Sequence, residues 1–472
     1  MLVLLAGASF CNQSAAADSS DYGFIFDRYQ ITLENGWRTE AAGPLYYSQQ
    51  TETQTTWALP PFFSCAKDLA VESHEDDFLY PLLTEVRYGR EWRWQLFQLI
   101  SFSGGKQPDD VKTKRTTFFP FYFQQRSPET NLNYTAVFPF YGHLQNRFSR
   151  DDIFFVLFPF YSETRKRDVV TDNYLFPIGH VRHGAGLDGW QVWPLIGREH
   201  KVVTTQTNGF GDVSVTGGHD KSFYLWPLCV LQDTGLSTTN PATFRASIPF
   251  FATTRSAQRD TTTVLWPIFS WIDERQKQYH EWQGPWPFVI FARGEGKTTS
   301  RVFPLFSQSH NAIKENDSYL WPVYTYTRTH SDPLDHQHTA VLFYLYTHMT
   351  EKNTETGAER KRLAIWPFFI WNRDFTGNER LRILAPIEPV LPDNRGIERN
   401  WTPLWSLWRT ENNAQTGAAS QSLLWNLYRR ETAPAHKKIS LLFGLFQYQC
   451  SGEEARTKLF YVTVSQSPAA AK

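Results

Sequence analysis

The chain has 472 residues, of which 16% are aromatic (37 Phe, 21 Tyr and 18 Trp) and only 2 are Met. Lys+Arg and Asp+Glu are both 47, which leaves no electrostatic footprint for nucleic acid and no polybasic patch for anionic lipid. The four cysteines, Cys11, Cys65, Cys229 and Cys450, are far apart and form no CxxC pair, which speaks against a disulfide framework or a zinc site.

Residues 1–17 open with a short apolar run, Met1 to Phe10, that is too short to cross a bilayer. It reads as the apolar part of an export signal, with Ala15-Ala16-Ala17 as a small-residue cleavage site. No basic stretch precedes it, which points to a start further upstream. In a second reading Cys11 is the lipidated first residue of a lipoprotein, although Phe10 stands where a small residue is wanted. Simple cleavage is the preferred reading. No later segment has the length and apolarity of a transmembrane helix. Residues 18–43 read as a linker and first strand.

From 44 to 464 one motif recurs: apolar residues, Pro, apolar residues. It appears as Leu79-Tyr80-Pro81-Leu82, Phe118-Phe119-Pro120-Phe121, Val137-Phe138-Pro139-Phe140 and Leu157-Phe158-Pro159-Phe160, and runs on to Trp401-Thr402-Pro403-Leu404. Pro120, Pro139, Pro159, Pro177 and Pro194 are 19, 20, 18 and 17 residues apart. Some units keep the frame without the proline, as at Leu342-Phe343-Tyr344-Leu345 and Leu442-Phe443-Gly444-Leu445. There are about twenty units in all.

Between motifs the chain is polar and carries turn signals such as Thr356-Gly357, Thr376-Gly377 and Thr416-Gly417. Apolar arms flanking a polar turn predict a β-hairpin. A helix is excluded, because a proline at every apolar centre would break it. Proline gives no N–H to a ladder and forces extended geometry on the residue before it, so it marks a repeated bend. Because the bend is apolar on both sides, it is expected to form a layer covered on both faces, with polar tips in water. The 33-residue gap from Pro194 to Pro227 predicts an extended loop or a longer hairpin around Asn208-Gly209-Phe210-Gly211. Residues 465–472 read as a disordered tail.

A signal-like N-terminus followed by many aromatic-Pro hairpins resembles the β-flower proteins of bacteria, shallow near-symmetric β-barrels whose hairpins radiate like petals. The resemblance implies an all-β chain forming a single closed or near-closed shallow barrel, placed in the cell envelope. Some members look like lipoproteins, which makes Cys11 the matching residue. The family has no established biochemical activity. The shape is also similar to Tubby-type domains that bind membrane phosphoinositides, by fold analogy only.

Few residues suggest chemistry. His336 and His338 form an HxH pair near Asp332 and Asp335, and His180 and His183 lie close together. Both pairs read as solvated histidines, since a zinc site needs three or four ligands. Charges such as Asp273-Glu274-Arg275, Arg373-Asp374, Arg409-Thr410-Glu411 and Arg429-Arg430-Glu431 follow the repeat. That pattern reads as cross-strand ion pairs on solvated petals rather than the paired carboxylates of a glycosidase. The indoles of Trp193, Trp226, Trp266, Trp286, Trp321 and Trp366 sit at the bends. They read chiefly as core filler, with an apolar ligand or membrane surface as the alternative.

The expectation is therefore an exported, non-enzymatic envelope protein without a cofactor, acting as a scaffold or binding lipid or another apolar ligand. A membrane or lipid is the expected partner, nucleic acid is not, and no protein partner is indicated. An outer-membrane β-barrel is the runner-up, and a carbohydrate-active enzyme comes third.

Overall fold

The computed structural model describes residues 22–468 except for 23, 98, 106–112, 208–212, 435 and 453. Cys11 and the expected export signal therefore lie outside the described residues. Short strands follow one another from Phe26–Gln30 to Val462–Pro468, so residues 465–468 are strand. Each strand pairs antiparallel with the next in one 43-stranded sheet.

The repeat sets the geometry of this meander. The strand Tyr141–Arg147 leaves one proline turn, pairs with Arg150–Val156 on the way back, and delivers the chain to the next turn. At that turn the Phe160 N–H donates to the Leu157 carbonyl at 2.8 Å across the intervening Pro159, so four residues reverse the chain. The Phe158-Pro159 peptide is cis, the geometry of a type VI turn. Neighbouring turns also bond to each other. Phe158 N–H donates to Pro139 O, Phe176 N–H to Pro159 O and Trp226 N–H to Pro194 O, each at 2.7 Å. Because the aromatic-Pro step comes once per two strands, these turns fall on one long edge, whereas Pro333 lies at a tip between Ser331 and Leu334.

The opposite edge carries the polar tips. Asn353, Asp374 and Asn413 each accept bonds from backbone N–H groups two and three or four residues on. These side chains imitate a backbone turn. The glycines that follow, Gly357, Gly377 and Gly417, have φ of 72°, 88° and 68°, a region that favours glycine.

Register brings the strand ends beside the turns into one row on one face. Leu59 faces Phe63, Phe63 faces Phe78, and Phe78 faces Leu83. Farther on, Tyr141 faces Val156, Val156 faces Tyr161, and Tyr161 faces Tyr174. The row resumes at Val289–Val302 and runs apolar through every strand to Leu459–Val462. Gly179, Cys229 and Ser247 are its small-residue steps. On the other face the aromatics before the prolines pack in tilted pairs, Phe138 against Phe158 at 5.3 Å and Phe158 against Phe176 at 5.7 Å.

Buried apolar clusters are small. The largest gathers Phe123, Tyr134, Ala136, Leu144 and Phe155. The chain exposes 28991 Å² at 54.9 kDa, whereas a compact monomer of that mass exposes about 18,000 Å². Among the described residues most bends carry no second layer; exceptions are the Tyr80-Pro81 bend, against which the helix Arg395–Asn400 packs, and the bend at Phe443, which Phe24 covers. Phe140, Phe160, Phe250 and Phe368, each directly after its proline, are exposed, as are Leu157, Leu225 and Leu320. The expectation of a layer covered on both faces is corrected accordingly.

Of the two alternatives for the chain between Pro194 and Pro227, the structure shows a hairpin, Thr204–Thr207 with Val213–Thr216, which stands outside the main sheet; Asn208-Gly209-Phe210-Gly211 lies outside the described residues. One other expectation changes. The Trp401-Thr402-Pro403-Leu404 motif is not a proline bend. It belongs to a helix, Thr402–Trp405, which follows another, Arg395–Asn400. The first is capped by the Asn394 side chain accepting from Ile397 N–H at 3.0 Å, and Pro403 lies in the first turn of the second, where its missing N–H costs nothing.

Among the described residues, no backbone pairing joins Phe26–Gln30 to Val462–Pro468. Side chains bring the two ends together instead. Asp27 meets Asn426, Glu40 meets Arg409, and Ser64 and Asp77 meet Asn400. N-terminal strands thus lie over C-terminal elements in reverse chain order.

Candidate functional site

The first candidate is the turn edge. Trp226, Trp266, Trp286, Trp321 and Trp366 are 39–48% exposed, and Trp193 is half-buried against Trp226, ring centroids 5.8 Å apart. These indoles do not fill a core, contrary to the preferred sequence reading, because a single-layer sheet has no second layer to enclose them. Trp321 lies between Phe303 and Phe343 at 5.5 and 5.6 Å. Together with the strand-end row, the edge forms an apolar strip far longer than the isolated apolar residues common on soluble proteins.

Where the hairpin tip at Phe148 folds back onto Phe123 (5.7 Å), the strip deepens into a groove of about 390 Å³. Its walls include Phe119, Phe138, Phe158 and Phe176, and Arg150 stands at its margin.

The second candidate is the contact between the chain's ends. A cleft of about 450 Å³ there is lined by Arg38, Arg380, Arg382, Arg399, Arg409 and Arg429, among others. The Arg399 guanidinium donates to Glu75 at 2.8 Å and to Asp77 at 2.7 Å. Arg409 bonds Glu40 at 3.1 Å, and Asn426 bridges Glu40 and Asp27 at 2.8 and 2.9 Å. The Arg429 guanidinium lies 3.3 Å over the Tyr29 ring and pairs with Glu431 at 2.6 Å.

Burial alone would raise the carboxyl pKa of Glu40, but Arg409 and Arg38 outweigh it and hold the group well below its usual range. The same balance lowers Glu411, through Arg380 and Arg409, and Glu431, through Arg429 and Lys438. Burial, then Glu40, pushes the Tyr29 hydroxyl up to about 12. The reading of Arg409, Glu411, Arg429 and Glu431 as solvated petal charges is thus overturned. They sit between two layers, and each cation is matched by a carboxylate, so the arrangement acts as a clasp.

The histidine pairs do not converge on a centre. His180 and His183 are an odd number of residues apart in the strand Gly179–Gly184, which puts them on opposite faces. His336 and His338 share a face, and His336 Nδ1 lies 3.3 Å from Glu351 Oε1. Asp335 instead takes a bidentate pair from Arg328.

Among the described residues, the one group of three converging His, Cys or carboxylate ligands is Cys65, His74 and Asp76, which the sequence reading missed. The available signal was the hairpin itself. Its four-residue connection, 69–72, fixes a register that puts Cys65 opposite Asp76, with His74 two residues away on the same face.

No family model matches the chain, and no curated protein matches it in sequence.

Proposed function

We propose that this is a non-enzymatic, envelope-associated β-protein whose ribbon is drawn into a shallow ring by its clasp, in the manner of the β-flower proteins, and whose apolar turn edge docks on lipid. The observation that carries this reading is the long, largely apolar row beside exposed turn residues, set against polar tips on the opposite edge. Such a ribbon is amphipathic from edge to edge, and Trp-rich rims of this kind suit a membrane interface. Glu411 and Glu431 are tied to arginines and are not free for acid-base work.

The outer-membrane barrel is less well supported. Strands of mostly five to eight residues fall short of the roughly 9–11 that cross a bilayer, and the unpaired first and last strands would expose backbone polar groups to lipid.

The test is flotation of the full chain with phosphatidylglycerol–phosphatidylethanolamine liposomes. Wild type is expected to float, and a Phe140→Ser/Phe160→Ser/Leu228→Ser variant to stay at the bottom with unchanged circular dichroism. A wild type that stays at the bottom, or a variant that floats equally well, overturns the reading. Concentration-dependent dimerisation through the same edge without liposome binding would assign it to a second copy instead, and overturns it too.

A further inference from the structure

We propose that Cys65, His74 and Asp76 form a binding site for a single divalent transition-metal cation of the zinc type. The three residues lie on one face of two paired strands, Phe63–Asp68 and Ser73–Phe78. Their ligand atoms all lie within 4.8 Å of one another, with Cys65 Sγ 3.7 Å and Asp76 Oδ2 2.8 Å from His74 Nε2. Tetrahedral zinc with bonds of about 2.0–2.3 Å holds its ligand atoms roughly 3.3–3.6 Å apart, so the two contacts to His74 need shifts of about 0.5 Å or less.

Sulfur and carboxylate both converge on the same ring nitrogen, so the three ligand atoms face one another. Thiolate, imidazole and carboxylate form the mixed set that zinc accepts, and three protein ligands leave a fourth position for water.

Neighbouring charges are accounted for. Glu85, opposite Asp76 on the next strand, is bonded to Arg87, and Lys67 stands opposite His74. Cys65 is buried. Metal binding takes the thiolate: the S–H bond breaks, a metal–sulfur bond forms, and one H⁺ passes to the buffer.

The experiment uses the full chain, stripped with a chelator and titrated with Co²⁺. The expected result is a 1:1 complex with a thiolate-to-cobalt charge-transfer band in the near ultraviolet and intense d–d absorption, both removed by added Zn²⁺. Calorimetric titration of Zn²⁺ in buffers of different ionisation enthalpy should show one proton released per metal at neutral pH. Cys65→Ser should lose the charge-transfer band. His74→Ala and Asp76→Asn, at less buried positions, should weaken binding at least about tenfold, since even second-layer changes cost 10–100-fold. Cys229→Ser and Cys450→Ser should behave as wild type. Absence of the charge-transfer band in wild type, or binding unchanged in His74→Ala and Asp76→Asn, overturns the proposal.

Discussion

Arg399 Nη2 donates to Asp77 Oδ2 at 2.7 Å, although the two residues are 322 positions apart. Asp77 is fully buried there and also accepts from Asn400 Nδ2 and Ser64 Oγ, both at 3.0 Å. Removing one partner of such a pair strands the other charge away from water, at a cost of about 3–5 kcal/mol. Arg399→Ala is therefore expected to lose that much in urea unfolding. Glu274→Gln, in a pair more open to solvent, should stay within about 1 kcal/mol. Equal effects of the two substitutions would remove the clasp from the stability argument.

Acid should open the clasp. Glu40, Glu411 and Glu431 are all held below their ordinary pKa, so each binds a proton less readily folded than unfolded. Their contribution is complete above the unfolded value of about 4.3 and drains away as pH falls below it toward the lowered folded values. Midpoints of urea unfolding should hold steady from about pH 7 to 5 and drop steeply below about 4. Wild type should lose more over that range than Glu40→Gln, whose carboxyl no longer titrates.

Half-exposed indoles should cost less to remove than core indoles. A buried Trp→Ala change costs about 3–5 kcal/mol. At 45% and 44% exposure for Trp266 and Trp321, about half of that is expected. Trp321 should cost more than Trp266, because its ring packs against both Phe303 and Phe343. Thermal melts of the two single mutants decide the ranking. A loss near 5 kcal/mol at Trp266 would mean that the edge is covered in solution.

Gly396 tests how closely the helix Arg395–Asn400 presses on the sheet. A Cβ added there would fall 2.4 Å from the Tyr80 ring. Gly396→Ala should destabilise the wild type and do so much less in a Tyr80→Ala background. That coupling appears in a double-mutant cycle. Additive effects would mean that the ring yields freely.

The bends, the hairpins and the tips were legible in the sequence because their causes are local. A proline lacks its N–H wherever it stands, and Asn413 caps its own turn within three residues. The clasp was not legible. Arg409-Thr410-Glu411 reads like any other petal charge, and only the return of a strand 369 residues away shows that Arg409 is buried against Glu40. The exposure of the indoles was hidden for a related reason: an aromatic-Pro step looks the same with or without a covering layer. The helix Thr402–Trp405 was missed because Pro403 lies 17 residues after Pro386 and so matches the period; the one local start signal, Asn394, belongs to the preceding helix Arg395–Asn400.

The antiparallel meander also governs how such a chain can change length. Deleting a single strand would send every later bend to the opposite edge, mixing apolar turns with polar tips. Growth and loss are therefore restricted to whole petals, each adding about 10 Å to the ribbon at two strands apiece. Because Arg399, Asn400 and Arg409 meet Asp77, Ser64 and Glu40 through side chains at fixed places, a petal gained or lost between them has to be absorbed by the curvature of the strands that lie between these contacts.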